Sequence, residues 1–293
     1  MQPSQTTDVR LAQFLECRPR LFALAYRMLG SKSEAEDVLQ EAYLRWHRQA
    51  PEAVESAQAW LMTTVSRLCI DNLRAHNRRQ DYVGTWLPQP LYDEEEVAYA
   101  CPSQTSALYE SLSLAFLLLL EQLNPVERAV FLLKEIFEYS YQEIAQVVKK
   151  APDHCRQIAH RAKARIEPAS PQPLSTNKQQ QQLLTVFMTC FAQGDLERLQ
   201  RVLADNIVLL SDGGGKVRSV LRPLNGAERV LQFFSALKRR FKNVPTTAAP
   251  LRINGQMALM LSAGGERSLF TIETQDERIT RILILRNPEK LPG

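Results

Sequence analysis

The stretch that decides the fold is residues 124–166, NPVERAVFLLKEIFEYSYQEIAQVVKKAPDHCRQIAHRAKARI. Asn124-Pro125 predicts the start of a helix, because proline fits the first helical turn. YSYQEIAQVV then predicts a second helix, KKAPDH a turn, and CRQIAHRAKARI a third helix in which Ile158, Ala162 and Ile166 face inward. This arrangement is typical of a helix-turn-helix motif, whose last helix lies in the major groove of DNA.

The other face of that last helix is polar and basic. Cations on such a face can bind phosphates, and side chains near the helix start can contact base edges. The residues expected on this face are His154, Arg156, Gln157, His160, Arg161, Lys163 and Arg165.

Upstream, residues 8–80 show the pattern of continuous amphipathic helices. Gly30-Ser31 predicts the end of one helix, and Ser33 followed by Glu36 predicts a capping box at the start of the next. Ala59 to Arg78 predicts a further helix. Its polar residues form either a solvated face or a second surface that can reach phosphates and base edges. They are Arg67, Asn72, Arg74, Asn77, Arg78 and Arg79.

Two stretches lack a regular pattern and predict domain boundaries. WLPQPLYDEEEVAYACPSQT, at residues 86–105, has three prolines and an acidic run without an amphipathic period, which predicts a linker. PASPQPLSTNKQQQQ, at residues 168–182, is rich in Pro, Ser and Gln and predicts a second boundary. Residues 107–167 between them read as helical.

The last third of the chain has a different character. Leu183–Phe191 and Leu196–Leu203 predict helices. Short apolar segments follow, and β-branched residues in Ile279–Leu285 predict a strand. These segments are IVLLS, KVRSVLR, MALMLSA, RSLFTIET and RITRILILR. Helices followed by several strands predict an α+β domain in which the sheet packs against its helices.

Composition limits the remaining possibilities. A chain of 293 residues predicts two or three domains, and a net charge of +4 permits a nucleic-acid partner without requiring one. The five cysteines form no CxxC pair, and the four histidines are not at metal-ligand spacing, so we expect no metal site and no cofactor. MQPSQTTDVR has no apolar core and the longest apolar run, Leu112–Leu120, is too short to span a bilayer. We therefore expect a cytoplasmic protein that does not contact a membrane.

Longer motifs add a family resemblance that covers about residues 10–167. AEDVLQEAYLRW and AWLMTTVSRLCIDNLRAHNRR resemble region two of RNA polymerase sigma factors of the extracytoplasmic-function type, and LNPVERAVFLLKEIFEYSYQEIAQVVKKAPDHCRQIAHRAKARI resembles their region four. WLPQP, DGGG and NPEKL resemble the signature of the subgroup that carries a C-terminal SnoaL-like domain, an α+β cone. The departures Lys149, Ala151, Gln89 and Glu289 leave the promoter preference open.

The resemblance implies a multidomain fold, with two all-α sigma domains followed by the α+β cone. We place region two at residues 8–85, the linker at 86–106, the region-four helix-turn-helix at 107–168 and the SnoaL-like domain at 176–293. The expected partners are core RNA polymerase, through its β′ clamp and β flap, and promoter DNA. An intramolecular contact between the sigma domains and the SnoaL-like domain is also expected.

The resemblance also implies a role for particular residues. Glu36, Asp37, Gln40 and Glu41 fall where the family binds the clamp helices. Asp71, Asn72, Arg74, Asn77, Arg78 and Arg79, with the 51–59 loop, fall where it opens and reads the −10 element, holding a flipped base in single-stranded DNA. Asp153, His154, Arg156, Gln157, His160 and Arg161 fall where it reads the −35 element. The expected regulatory motifs contain Trp86, Leu87, Pro88, Asp212, Gly213, Gly214, Gly215, Asn287, Pro288 and Lys290.

Three alternatives remain open from the sequence. Residues 176–293 contain no His, Tyr or Trp, so catalysis in the last domain would depend on Asp205, Asp212, Glu228 or Cys190. We expect regulation there, with ligand binding as the alternative. A helix-turn-helix repressor with a sensor domain would explain residues 120–293 but not the upstream helices. The run Asp93–Glu96 is either a solvated linker or follows the path of RNA or template strand through polymerase.

Overall fold

The computed structural model describes residues 3–49, 54–75, 82–92, 94–100, 111–166 and 177–292. The chain forms two compact units. The first comprises Met1–Asn77 with Asp93–Ser170, and the second comprises Arg78–Tyr92 with Pro171–Gly293. Residues 82–92, called the linker segment below, therefore cluster with the C-terminal part of the chain although they precede the helix-turn-helix motif in sequence.

The first helical module consists of α1 (Pro3–Leu29), α2 (Lys32–Arg48) and α3 (Ala57–Ala75). Leu21, Leu24 and Met28 of α1 are fully buried, and α1 packs against both α2 and α3. A short helix, α4 (Glu94–Ala100), follows within the stretch that the sequence predicts as a linker.

The predicted cap of α2 was wrong. Ser31, and not Ser33, is the N-cap, and its Oγ accepts a hydrogen bond from the Glu34 amide at 3.4 Å. Gly30 has a left-handed backbone with φ of 66° and ends α1. The extended residue that caps the next helix is therefore Ser31, and Ser33 falls in the first turn of α2.

The second helical module consists of α5 (Leu114–Leu120), α6 (Pro125–Phe131), α7 (Tyr141–Val148) and α8 (Pro152–Ile166). A π-helical turn, Leu132–Ile136, follows α6. Asn124 forms the capping box of α6 with Glu127, and Ser140 caps α7. The predicted helix-turn-helix is confirmed, although α8 begins at Pro152, which moves Asp153 and His154 from the turn into the helix.

Lys149 ends α7 in a left-handed conformation with φ of 53°. That conformation strains residues with a Cβ and is favoured by glycine. We expect Lys149→Gly to raise the free energy of unfolding by about 0.5–1 kcal/mol, measured by urea denaturation. Lys150→Gly is the matched control, because Lys150 is not among the residues with positive φ. If both variants are destabilised equally, relief of strain at Lys149 is not the cause.

The C-terminal domain, defined by the described residues 177–292, begins with α9 (Asn177–Gln193) and α10 (Leu196–Val202). Helix α11 (Ala227–Arg240) lies between the second and third strands. The strands are β1 (Leu203–Asp212), β2 (Leu224–Asn225), β3 (Thr246–Ile253), β4 (Gln256–Ala263), β5 (Glu266–Gln275) and β6 (Arg278–Leu285).

These strands form one six-stranded mixed sheet in the order β2-β1-β6-β5-β4-β3. Strands β1 and β6 are parallel, and the other neighbouring pairs are antiparallel. Phe187 of α9 and Phe234 of α11 meet edge to face at 5.1 Å within the core. This architecture confirms the predicted α+β fold class of the last domain.

Three details of the C-terminal domain differ from the sequence-based expectation. KVRSVLR, at residues 216–222, forms no strand, whereas β3 and α11 were not predicted. β3 lies at the sheet edge and contains Pro250, which an edge strand tolerates because the proline lacks an amide donor. Among the described residues, no helix is both long and apolar enough to cross a membrane.

Candidate nucleic-acid interface and linker-binding site

The exposed face of α8 carries the side chains expected to read DNA. Cys155, Ile158 and Ala162 are buried, which leaves the polar side exposed. His154, Arg156, Gln157, His160 and Arg161 are all exposed there.

The ion pairs on this surface differ in exposure between the start and the end of α8. Near the start of α8, Arg156 pairs with Asp153 at 3.2 Å, and both side chains are well exposed. Near its end, Arg165 pairs with Glu127 at 2.9 Å, and the Glu127 side chain is only 13% exposed. The start of α8 is therefore better placed to exchange its ion pair for a base contact.

Helix α3 presents part of the expected −10 surface. Asp71 and Arg74 are exposed and form an ion pair at 3.7 Å, and Asn72 is half-buried. Asn77, Arg78 and Arg79 lie outside the described residues, as does part of the 51–59 loop.

Arg67, which the sequence groups with this basic surface, is used differently. Its guanidinium donates to the carbonyl oxygens of Gln146 at 2.6 Å and Val147 at 3.0 Å. These carbonyls belong to the end of α7, where helix carbonyls lack intrahelical partners and a cation is stabilising. Asp71 and Arg74 line a cleft of about 180 Å³ against the same end of α7. The first helix of the helix-turn-helix therefore packs beside α3.

A buried arginine also joins the two helical modules. Arg128 of α6 is 3% exposed and donates to the Met28 carbonyl of α1 at 2.6 Å and to Glu121 at 2.9 Å. Burial lowers the pKa of Arg128 to about 10. Hydrogen-bonded charges of this kind are costly to separate singly, so the two modules share a specific core contact.

The expected clamp-binding residues of helix α2 differ in their exposure to solvent. Asp37, Gln40 and Glu41 are exposed at helical spacing, which places them on one face. Glu36 is instead half-buried and accepts two hydrogen bonds from Arg18, at 2.9 and 2.8 Å. Leu44 is 43% exposed and continues the face of Asp37, Gln40 and Glu41. Sequence reasoning missed Leu44 because it reads as one more core leucine.

The linker segment binds the C-terminal domain through Asp212, whose side chain is fully buried. Its Oδ1 accepts hydrogen bonds from the Tyr82 hydroxyl at 2.6 Å and the Gly214 amide at 2.9 Å. Its Oδ2 accepts from the Leu87 amide at 2.9 Å and from the Lys290 ammonium at 2.8 Å. Burial, followed by the hydrogen bond to Asp212, raises the pKa of Tyr82. Four donors thus converge on one carboxylate.

Lys290 completes the same site from the end of the chain. Its ammonium also donates to the Leu87 carbonyl at 2.6 Å. It lies over the rings of Trp86 at 4.5 Å and Tyr82 at 5.1 Å. Such cation–π contacts are strongest where the cation is desolvated, and the Lys290 side chain is 12% exposed.

A second anchor lies farther along the linker segment. The Leu91 amide donates to Asn254 Oδ1 at 2.8 Å, and the Asn254 amide donates to the Leu91 carbonyl at 2.9 Å. Leu91 is fully buried, and Asn254 is 2% exposed in a left-handed turn. Sequence reasoning missed Asn254, because a lone Asn before Gly in a hairpin reads only as a turn.

The DGGG turn requires glycines because a Cβ at Gly213 or Gly214 would collide with neighbouring atoms. A Cβ on Gly214 would lie 2.4 Å from the Asn287 amide nitrogen, and one on Gly213 would lie 2.4 Å from the Val217 carbonyl. Gly214 and Gly215 also have positive φ. The structure therefore brings together the three motifs that the sequence singled out, at residues 86–90, 212–215 and 287–291.

The residues considered for catalysis do not converge. Asp205 is fully exposed, Glu228 is exposed, Cys190 is buried in the core, and Asp212 is occupied by its four donors. Within the described part of the chain, no group of three or more His, Cys, Asp or Glu side chains could hold a metal ion.

Comparisons with known proteins agree with this architecture. Residues 14–79 match sigma-70 region 2, and residues 113–166 match sigma-70 region 4. The ECF RNA polymerase sigma factor SigJ of Mycobacterium tuberculosis is 30% identical, with 97% of this chain and 94% of SigJ aligned. The probable ECF sigma factor SigI of the same species is 29% identical over 94% and 92%. The crystal structure of SigJ matches with a TM-score of 0.77 and 25% identity, covering 96% of this chain and 97% of that one.

Proposed function

Because this chain belongs to the extracytoplasmic-function (ECF) sigma factors of RNA polymerase, we propose how its residues divide the work of transcription initiation. As a sigma factor it works with core RNA polymerase on promoter DNA. The exposed α2 face of Asp37, Gln40 and Glu41, extended by Leu44, binds the β′ clamp, while the second helical module meets the β flap. Because both contacts are with RNA polymerase, we expect the protein to work in the cytoplasm. Glu36 acts by holding Arg18 beside that face.

Promoter reading is assigned to two helices. Asp71, Asn72 and Arg74 of α3, continued by Asn77, Arg78 and Arg79, contact the −10 element. The start of α8 reads the −35 element through Arg156 and Gln157, with Asp153, His154, His160 and Arg161 beside them. Base-edge contacts near the start of a helix determine sequence specificity, whereas phosphate contacts fix the position of the protein on the duplex.

Because α3 packs against α7, the two helical modules are in a closed arrangement, in which they are held together. The −35 and −10 positions are about 25 base pairs apart, which corresponds to roughly 85 Å of duplex. While α7, the helix that leads into α8, is packed on α3, the two reading helices α3 and α8 cannot reach both elements at once. Opening must release Arg67 from the carbonyls of Gln146 and Val147 and separate Arg128 from Met28.

The C-terminal domain controls that opening by retaining the linker segment. The observation that carries this proposal is the convergence of Tyr82, Leu87 and Lys290 on the buried Asp212 carboxylate. The linker segment joins the first helical module to the second, so holding it limits how far the two modules can separate. A fused domain acts at high effective concentration, and therefore a modest interface suffices. This role requires no catalytic step.

Arg156→Ala tests the assignment of −35 reading to α8. We expect it to cost about 1–3 kcal/mol of binding at the preferred −35 element and to relax the preference there. Binding by holoenzyme to a library of −35 sequences measures this. Arg165→Ala, on the last turn of the same helix, is the matched control and should leave the preference unchanged. An equal loss on every −35 sequence would mean that Arg156 binds phosphate only.

A further inference from the structure

The C-terminal domain contains a cavity that its role in holding the linker segment does not use. Its volume is about 330 Å³, within the size range of small-molecule sites. It lies between α9, α11 and strands β1, β3, β4, β5 and β6. Asp212, Asn254 and Lys290, which bind the linker segment in the described part of the chain, do not line it.

The body of the cavity is apolar and largely aromatic. The apolar lining consists mainly of Phe191, Phe233, Leu237, Phe241, Leu261 and Phe270. Four of these six side chains are phenylalanines, which stack well on flat rings. The chemistry therefore favours a ligand with an aromatic or otherwise apolar body.

One end of the cavity is cationic. Arg218, Arg240 and Arg286 line it against a single carboxylate, Glu266. Glu266 pairs with Arg240 at 3.0 Å and with Arg286 at 2.5 Å. Three cations and one anion leave a positive excess in a concave, partly desolvated place. An organic anion would balance this excess.

Arg286 provides a second observation that points to an anion. Its side chain is 12% exposed, and its Nε–H is buried without an acceptor among the described residues. A buried donor without a partner costs free energy. A carboxylate oxygen is the acceptor that would satisfy it, and arginine forms its best hydrogen bonds to carboxylates.

We propose that this cavity binds a small amphipathic organic acid, with an aromatic body among the phenylalanines and one carboxylate at Arg218, Arg240 and Arg286. The proposal is of binding alone and includes no chemical step. This site is independent of the linker-holding role, because it depends on different residues.

The test is calorimetric titration of the full chain with 2-naphthoate, compared with the uncharged 2-naphthamide. We expect the acid to bind at least about tenfold more tightly than the amide, as a charge-assisted hydrogen bond to a buried arginine would give. Arg286→Gln, which removes the buried arginine, should lose about the same factor for the acid and little for the amide, and Arg240→Gln, at a 43% exposed arginine, should show a smaller loss of the same kind. Arg239→Gln is the matched control, because Arg239 is the neighbouring cation on α11 and does not line the cavity.

A filled cavity provides the second check. Ser268→Phe places a ring among the lining residues and should abolish binding of both compounds, with circular dichroism confirming the fold. Methyl NMR signals of Ile284, which lines the cavity, should shift with the acid, whereas those of Ile158 in α8 should not. Equal affinity for acid and amide would overturn the proposal, as would equal losses in Arg239→Gln and Arg240→Gln or no binding at all. None of these measurements involves polymerase, so they fail or succeed separately from the transcription role.

Discussion

Asp212→Ala should lower the free energy of unfolding of the C-terminal domain by about 3–5 kcal/mol, because it removes one partner of a buried ion pair. Lys290 would be left 12% exposed without its carboxylate, and the Tyr82 hydroxyl and Leu87 amide would lose their acceptor. With the Gly214 amide, four donors would lose the carboxylate that accepts from them.

Trp86 can report this change selectively. The chain has three tryptophans, and the other two, Trp46 and Trp60, belong to the first helical module. In a background with Trp46→Phe and Trp60→Phe, urea denaturation followed by Trp86 fluorescence therefore monitors the linker site. Asp205→Ala is the matched control, since Asp205 is a fully exposed carboxylate of the same strand β1. An unchanged denaturation midpoint for Asp212→Ala would contradict the structural importance of this carboxylate.

Hydrogen exchange separates loss of stability from release of the linker segment. The Leu87 amide donates to Asp212, and the Leu91 amide donates to Asn254. Asp212→Ala should raise the exchange rate at Leu87 more than at Leu91, because only the first anchor is removed directly. Asn254→Ala should show the reverse order. A uniform rise across β4, β5 and β6 would instead indicate global unfolding of the domain.

The helical part of the fold could be predicted because its sequence signals are local. The apolar spacing of Ile158, Ala162 and Ile166 and the pairing of Asn124 with Glu127 require only neighbouring residues. The same local reasoning placed the cap of α2 at Ser33, because it weighed a Ser-to-Glu spacing without the backbone geometry of Gly30. Strand β3 was missed for a related reason. Its residues are nearly all exposed and show no alternation, so only pairing with β4 defines it.

The site could be predicted less completely than the fold. The motifs around Trp86, Asp212 and Lys290 came from a resemblance, and periodicity alone would read Asp212 as an exposed residue before a glycine turn. Arg67 and Asn254 acquire their roles from partners roughly 80 and 160 residues away in sequence. Such long-range contacts leave no pattern in a single sequence.

Release of the linker segment should change transcription more than any other alteration of the C-terminal domain. Truncation after Arg286 removes Lys290, which donates to the Asp212 carboxylate, and Asn287, whose side chain donates to the Tyr82 hydroxyl. Asp212→Ala removes the carboxylate that accepts from Lys290 and Tyr82. Both changes remove the Asp212 anchor of the linker segment while keeping the core strands and the second anchor at Asn254. We expect both to raise transcription by at least about fivefold, since a coupling of 1 kcal/mol or more shifts a two-state population by that factor.

The central claim is that the C-terminal domain limits opening of the sigma modules by holding the linker segment. The most direct test is in vitro transcription with core polymerase by four forms at matched concentrations. They are the full chain, Asp212→Ala, the chain truncated after Arg286, and the chain truncated before Ser175. The account predicts that the first two altered forms rise together above the full chain and that removal of the whole domain also changes transcription strongly. Equal transcription by all four forms would contradict it.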